Sequence, residues 1–211
     1  MANVGRKFPN IAIDAIDEMG DTFKINIFKQ AIEQKKKVIL FWYPKDFTFV
    51  CPTELHAFQE AQPEFEKRNT IIIGASCDTP EVHFAWLNTP KDNGGIEGVT
   101  YPILADTHRI LSEELDILDS DYSTDEETDE FSYEGGNVTY RATYLIDETG
   151  KIFHESVNDM PLGRNVNEFL RLIDAYAHVQ NHGEVCPANW EEGKDAMKAD
   201  RNSTADYLSK H

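Results

Sequence analysis

Cysteine is scarce in this chain of 211 residues, which contains three, Cys51, Cys77 and Cys186. No two of them form a C-x-x-C pair, so the sequence contains neither a zinc-ribbon motif nor a local redox dithiol. An odd and sparse set also argues against a framework of structural disulfides. Each cysteine is therefore either an inert thiol or a reactive one, and its local sequence has to decide between the two.

Long apolar segments and a surplus of basic residues are missing as well. No run of about 18 apolar residues occurs, and the stretch MANVGRKFPNIAIDAI lacks the apolar core of a secretory signal, so we expect a cytoplasmic protein. Twenty lysines and arginines stand against 38 acidic side chains, which gives a formal net charge of -18. A charge of this sign repels phosphate and anionic lipid headgroups and argues against nucleic-acid and membrane partners.

Short apolar runs alternate with helical patterns along most of the chain. Residues 36–43 and 70–78 are continuous apolar runs of strand length, and residues 165–180 have apolar side chains at helical spacing. The segment between the two runs has a helical pattern that Pro63 is expected to bend or break. This alternation predicts one α/β domain with a mixed sheet over residues 1–180, followed by a C-terminal extension over residues 181–211.

Cys51 stands where the first apolar run and its loop give way to a helical pattern, and Pro52 suits a first helical turn. The free amides and the dipole of a helix N-terminus favour a thiolate there. Thr48, three residues earlier, can direct its hydroxyl at the sulfur or at a bound oxygen. Glu54, one turn later, is expected to orient a guanidinium group near the sulfur. This context favours a reactive thiol over an inert buried one.

Residues 41–58 resemble the active-site segment of the typical 2-Cys peroxiredoxins, including the bacterial alkyl hydroperoxide reductase C subunits. The family signature P-x-x-x-T-x-x-C is present as Pro44, Thr48 and Cys51. Four further segments resemble the family in the expected order, namely HFAWLNTP, YPILAD, NDMPLGRNV and GEVCPANW. The resemblance covers nearly the whole chain and implies a thioredoxin-like fold, with a central mixed sheet flanked by helices.

The resemblance implies roles for the matching residues around the first cysteine. Cys51 would be the peroxidatic nucleophile, Thr48 would bind the peroxide, and Pro44 would shield the site from water. Arg141, in the segment YRATYLID, would hold the thiolate and the O–O bond of the peroxide, with Glu54 in support. The sequence by itself does not distinguish this arginine from the others at positions 109 and 164.

Cys186 matches the resolving cysteine, which in the family attacks the sulfenic acid of Cys51 from a neighbouring subunit and forms an intersubunit disulfide. The implied function is a thiol-dependent peroxidase that reduces hydrogen peroxide and organic hydroperoxides in antioxidant defence. The implied partners are thioredoxin or a dedicated flavoprotein disulfide reductase, and further copies in a homodimer that assembles into a decamer-type ring. No cofactor or metal is predicted. Cys77, in the run IIIGASCD, is expected to be a buried bystander.

Other functions fit the residues less well. A thiol hydrolase would pair Cys51 with His56, but side chains five positions apart on a helix do not share a face. A scaffold or chaperone is an alternative from another class, because some peroxiredoxins assemble into rings that hold unfolded clients. A thioredoxin-like reductant would need the C-x-x-C pair that this chain lacks.

Residues 116–137 depart from the family pattern, because many relatives have a short connection there. The segment holds nine acidic residues and no lysine or arginine, which predicts a solvated, mobile loop. A sharper hypothesis is calcium binding, because oxygen-bearing side chains follow the spacing of an EF-hand loop at Asp119, Asp121, Ser123, Asp125, Glu127 and Glu130. Thr124 occupies the position that an EF-hand gives to glycine, and the sequence does not predict flanking helices.

Overall fold

A computed structural model describes residues 2–210 and shows strands and helices in alternation. Within these residues the strands are β1 (Ile13–Ile16), β2 (Thr22–Ile25), β3 (Lys37–Trp42), β4 (Thr70–Ser76), β5 (Ile103–Ala105), β6 (Leu118–Thr124), β7 (Phe131–Thr139), β8 (Arg141–Ile146) and β9 (Ile152–Asn158). The α-helices of the same residues are α1 (Ile27–Gln34), α2 (Cys51–Lys67), α3 (Pro80–Leu87), α4 (Ile110–Glu114), α5 (Val166–His182) and α6 (Arg201–Lys210). None of these helices is long and apolar enough to cross a membrane.

Seven strands form one mixed sheet in the order β2-β1-β5-β4-β3-β8-β9. Strand β4 runs parallel to both β3 and β5, and the remaining neighbours are antiparallel. The central strands β3 and β4 are buried along almost their whole length, as expected for continuous apolar runs covered on both faces. The prediction of a central mixed sheet flanked by helices is confirmed.

The sheet brings the ends of β3 and β8 together. Strand β3 ends at Trp42 and α2 begins at Cys51, so the intervening loop leaves the sheet where parallel strands end. Strand β8 runs antiparallel to β3 with Phe41 opposite Thr143, so its first residue, Arg141, lies beside the start of that loop. The end of β3 and the start of β8, which are distant in sequence, therefore lie side by side.

Helix α2 continues through Pro63, so this residue does not break the helix. Proline removes one backbone donor, but the turns on both sides keep their own hydrogen bonds. The helix also buries Leu55, Phe58 and Phe65, and this packing spans the proline on both sides. Tertiary packing therefore outweighs the local effect of one missing hydrogen bond.

The acidic segment is not the irregular loop that its composition predicts, because most of it forms the antiparallel hairpin of β6 and β7. Tyr122 lies opposite Tyr133, and its ring stacks on that of Phe131 with centroids 6.0 Å apart. In the turn, the carboxylate of Asp125 accepts hydrogen bonds from the backbone N–H groups of Glu127 and Thr128, which lower its pKa. Aromatic cross-strand pairs and an Asx turn therefore supply the structure that charge counting misses.

The calcium hypothesis gains no support from this hairpin. The side chains with EF-hand spacing lie on strand β6 and in the turn that follows it, rather than in one loop between helices. Among the residues that the structure describes, no three His, Cys, Asp or Glu side chains come together in a way that could hold a metal ion.

Shortening the hairpin by removing residues 120–134 is expected to leave the peroxidase activity that the family resemblance implies within about two-fold of wild type, because connection length affects stability weakly. Steady-state peroxide consumption would measure the rate. A full-length variant with Tyr122→Ser and Phe131→Ser would separate loss of the hairpin from loss of its aromatic side chains. A fall of tenfold or more would contradict this prediction.

The chain divides into two compact units between Arg164 and Asn165. The first contains both sheets and helices α1 to α4, and the second contains α5 and α6. In the second unit, Val185 pairs with Met197 in an isolated bridge and the indole of Trp190 donates to the carbonyl of Lys194. The division precedes α5, and a domain over residues 1–180 with an extension over 181–211 stays a prediction.

Candidate active site

Cys51 is the first residue of α2, and its side chain is completely buried. Pro52 occupies the first turn, where its missing N–H leaves no intrahelical bond unmade. The hydroxyl of Thr48 lies 2.9 Å from the Cys51 Sγ and 2.8 Å from the carbonyl oxygen of Lys45. This hydroxyl can thus donate to the sulfur, or turn to another acceptor when an oxygen atom enters the site.

Arg141 reaches the same sulfur from β8. Its Nη1 lies 3.4 Å from the Cys51 Sγ and 2.7 Å from a carboxylate oxygen of Glu54. Its Nε donates to the carbonyl of Met160 at 2.6 Å, so the guanidinium is held from two sides. The structure therefore brings together the arginine implied by the family resemblance, the cysteine and the glutamate expected to orient a guanidinium.

Arg164 belongs to the same cluster, although sequence reasoning did not select it. It binds Glu54 through Nε, Nη2 and its backbone N–H at 2.8, 2.8 and 3.0 Å. Its Nη1 donates to the carbonyl oxygens of Trp42 and Ala142, which ties the cluster to strands β3 and β8. Arg109, by contrast, donates to backbone carbonyls at Thr107 and Asn137.

The charged side chains of this buried cluster pair closely with one another. Glu54, Arg141 and Arg164 have side chains that are at most 4% exposed, so water screens them poorly. Burial lowers the pKa of Arg164, and the neighbouring Glu54 carboxylate opposes that effect. Two guanidinium groups and one carboxylate leave one net positive charge in the cluster, beside the Cys51 sulfur.

Pro44 is buried in the loop between β3 and α2. It follows Tyr43, whose backbone N–H donates to the carbonyl of Ala75 in the neighbouring strand. Its ring is entirely apolar and brings no N–H of its own to the loop. This position is compatible with the shielding role that the resemblance implies.

The other two cysteines lie in different surroundings. Cys186, in the second unit, is partly buried with its Sγ 3.6 Å from the carbonyl of Ala175, and burial raises the pKa of its thiol. Cys77 does not lie within a strand as predicted, because β4 ends at Ser76, and it is partly rather than fully buried. Burial raises the pKa of the Cys77 thiol to about 11, which keeps it protonated at neutral pH.

His56 does not form the nucleophile–base pair that a thiol hydrolase would need. Its Nε2 lies 3.1 Å from the carbonyl oxygen of Gly95, in the loop that follows α3. Cys51 has its contacts with Thr48 and Arg141 instead. His56 therefore does not supply the base that the hydrolase alternative requires.

Known proteins are similar to this chain over nearly its full length. Residues 4–155 match the AhpC/TSA family, and residues 175–210 match the C-terminal domain of 1-Cys peroxiredoxin. Peroxiredoxin-1 of Gekko japonicus is 40% identical over 210 residues, which cover 100% of this chain and 97% of the relative. Alkyl hydroperoxide reductase C of Helicobacter pylori is 42% identical over 84% of this chain and 82% of its own.

The fold is similar to that of solved structures as well. The reduced 2-Cys peroxiredoxin of Plasmodium vivax superposes with a TM-score of 0.87 at 36% identity. The match covers 99% of this chain and 100% of that one.

Proposed function

This chain belongs to the AhpC/TSA family and is a thiol-dependent peroxidase of the peroxiredoxin type, and from that premise we propose which residues carry the reaction. Cys51 attacks hydrogen peroxide or an organic hydroperoxide, and Cys186 of a partner subunit resolves the resulting sulfenic acid. The observation that carries this assignment is the contact of Cys51 Sγ with both Thr48 and Arg141 beside a buried cluster of ion pairs.

In the first step the Cys51 thiolate attacks one peroxide oxygen, so that an S–O bond forms while the O–O bond breaks. The sulfur is oxidised to a sulfenic acid, and the other oxygen leaves as water or an alcohol after taking a proton. Thr48 has a hydroxyl that can turn from the sulfur to the bound oxygen. Arg141 has N–H groups beside the sulfur that can stabilise the negative charge developing on the leaving oxygen.

In the second step the Cys186 thiolate attacks the sulfenic sulfur, which forms the disulfide and releases hydroxide that becomes water on protonation. An external dithiol then reduces the disulfide. We infer that this dithiol is thioredoxin or a flavoprotein disulfide reductase, that homodimers assemble into a decamer-type ring, and that the enzyme works in the cytoplasm. Supplying each donor in turn during peroxide turnover, together with sedimentation velocity and cell fractionation, tests these parts separately.

Peroxide consumption by purified protein tests the proposed nucleophile. Wild type with a chemical dithiol should consume hydrogen peroxide, and Cys51→Ser should not. Cys77→Ser is the matched control, because it removes a thiol of raised pKa outside the cluster and should retain the wild-type rate. Undiminished consumption by Cys51→Ser would refute the assignment.

Peroxide is expected to convert the protein into a disulfide-linked dimer on a non-reducing gel, because the resolving thiol comes from a partner subunit. The dimer band should disappear in both Cys51→Ser and Cys186→Ser and persist in Cys77→Ser. A dimer that survives in Cys186→Ser but is absent from Cys77→Ser would overturn the assignment of the resolving cysteine.

The rate of disulfide formation is expected to rise with pH. Only the thiolate of Cys186 can attack, and the raised pKa of this thiol keeps the thiolate fraction small near neutrality. Below that pKa, each pH unit should increase the thiolate fraction, and with it the resolution rate, about tenfold. Rapid-quench measurement of the intersubunit disulfide from pH 6 to pH 8 would test this. A rate independent of pH would show that another step limits resolution.

A further inference from the structure

A buried group of polar side chains joins α3 to the loop that carries Pro44 and Thr48. The proposed chemistry does not use this group. The hydroxyl of Tyr43 donates to Asp46 Oδ1 at 2.8 Å, and Nδ1 of His83 lies 2.7 Å from Asp46 Oδ2. The side chains of Asp46 and His83 are both fully hidden from solvent. Since burying ionisable groups is costly unless they are well paired, this arrangement calls for a reason.

The hydrogen bonds of the group determine where its protons lie. Nε2 of His83 is 3.2 Å from the carbonyl oxygen of Leu104, which can only accept, so this nitrogen carries a hydrogen. Nδ1 faces a carboxylate oxygen of Asp46, and two acceptors approach this closely only with a proton between them. The pair thus holds one shared proton and is neutral overall. Burial raises the pKa of Asp46, and the hydrogen bond with His83 opposes this effect.

The same contacts fix the backbone of the loop. The backbone N–H of Asp46 donates to Oδ2 of Asp78, and the hydroxyl of Ser76 donates to that same oxygen. His83 belongs to α3 and binds the backbone of β5, so its ring joins the loop to the middle of the sheet. Asp46 is therefore held by its side chain and by its backbone.

The residue that follows Asp46 shows why the loop needs these anchors. Phe47 has a φ of 54°, in the left-handed region that disfavours residues with a side chain. Such a conformation is unfavourable and persists where surrounding contacts enforce it. Thr48 comes next in the chain, so the direction of its hydroxyl depends on this unfavourable turn.

We propose that His83 and Asp46 are positioning residues for the peroxidatic site. Their proton-sharing pair holds the Phe47 turn and thereby keeps the Thr48 hydroxyl at hydrogen-bonding distance from Cys51 Sγ. The inference rests on the proposed role of Cys51 as the nucleophile. Asp46 and His83 act through Thr48, because their own hydrogen bonds run to the loop and the sheet.

A double-mutant cycle with Thr48→Val tests this inference. Asp46→Ala is expected to lower the second-order rate constant for Cys51 oxidation by hydrogen peroxide roughly 30-fold, as misplacing a catalytic group does. In the Thr48→Val background the same substitution should lower it no more than about three-fold, because the hydroxyl to be positioned is gone. An equal fold-loss in both backgrounds would overturn the proposal.

Rescue by a conservative variant provides a second readout. Asp46→Asn keeps an oxygen that accepts from Tyr43 and supplies an N–H for the Nδ1 of a neutral His83, so it should recover most of the rate lost in Asp46→Ala. A rate as low as that of Asp46→Ala would count against the positioning role. If Asp46→Ala does not fold, Tyr43→Phe replaces it in the cycle, with an expected loss of about three-fold that vanishes with Thr48→Val.

The cycle can be read without peroxide, which separates this inference from the proposed function. The rate of Cys51 alkylation by iodoacetamide, followed by mass spectrometry of the Cys51 peptide, also depends on the hydrogen bond from Thr48. Coupling in alkylation without peroxide consumption by wild type would support the positioning role and refute the peroxidase assignment. Peroxide consumption by wild type without coupling in either reaction would support the peroxidase assignment and refute the positioning role.

Discussion

Replacing Glu54 by glutamine is expected to lower the rate of Cys51 oxidation roughly 100-fold and to reduce the free energy of unfolding by about 3 kcal/mol. The carboxylate accepts one hydrogen bond from Arg141 and three from Arg164. A glutamine side chain has one acceptor oxygen and adds an NH₂ group that faces the guanidinium donors. Two buried cations would then lie together without the carboxylate that pairs with both, and the guanidinium at the sulfur would lose one of its two anchors.

Stopped-flow peroxide reaction and urea unfolding would measure the two effects of Glu54→Gln. Glu155→Gln is the matched control, because Glu155 accepts from Tyr144 and Asn3 and takes no part in the arginine cluster. This control should keep the oxidation rate within about two-fold, since it leaves the positions of the reacting groups unchanged. A Glu54→Gln enzyme that oxidises Cys51 at the wild-type rate would show that the cluster does not position Arg141.

The sequence predicts the parts of this site that depend on local chain geometry. Cys51, Pro52 and Glu54 lie in one helical turn, so the helix start and the direction of the carboxylate follow from spacing alone. The hydroxyl of Thr48 is three residues from the sulfur, which is within reach in a compact turn. Local rules therefore suffice for the nucleophile and its nearest neighbours.

The arginines could not be found in the same way. Arg141 reaches the cysteine only because β8 pairs with β3 in one particular register, and Arg164 reaches Glu54 from the segment that follows β9. Register depends on the whole buried face of the sheet, so an isolated YRATYLID or PLGRNV segment does not indicate it. The position of Glu54 predicts a guanidinium partner, but the sequence by itself leaves three candidates for it, Arg109, Arg141 and Arg164.

The pair of Asp46 and His83 was missed for a similar reason. Both residues lie in segments that the family resemblance covers, yet each taken singly reads as an ordinary polar residue of a loop or a helix. Their contact requires α3 to pack beside the loop and β5 to offer the carbonyl of Leu104. The hairpin of β6 and β7 was predicted to be a loop, because the many charges of this segment concealed alternating aromatic residues that pair across two strands.

Exchanging each active-site arginine for lysine is expected to separate the effect on the oxidation rate from the effect on stability. Arg141 divides its N–H groups among the Cys51 sulfur, Glu54 and the carbonyl of Met160. Lysine has a single nitrogen on a flexible stem and cannot reproduce this planar arrangement. Arg141→Lys should therefore lower the oxidation rate roughly 100-fold, because the charge beside the sulfur is no longer held in place.

Arg164→Lys should reduce stability strongly and the oxidation rate only moderately. Arg164 donates to Glu54 and to the carbonyls of Trp42 and Ala142, and its bonds run to the scaffold rather than to the sulfur. Its loss should cost about 3 kcal/mol of stability, as breaking a buried ion pair does, while the oxidation rate falls less than tenfold. Stopped-flow oxidation and urea unfolding of both variants would test the contrast. Equal rate losses in the two variants would mean that the cluster acts as one electrostatic unit, in which direct contact with the sulfur gives Arg141 no separate role.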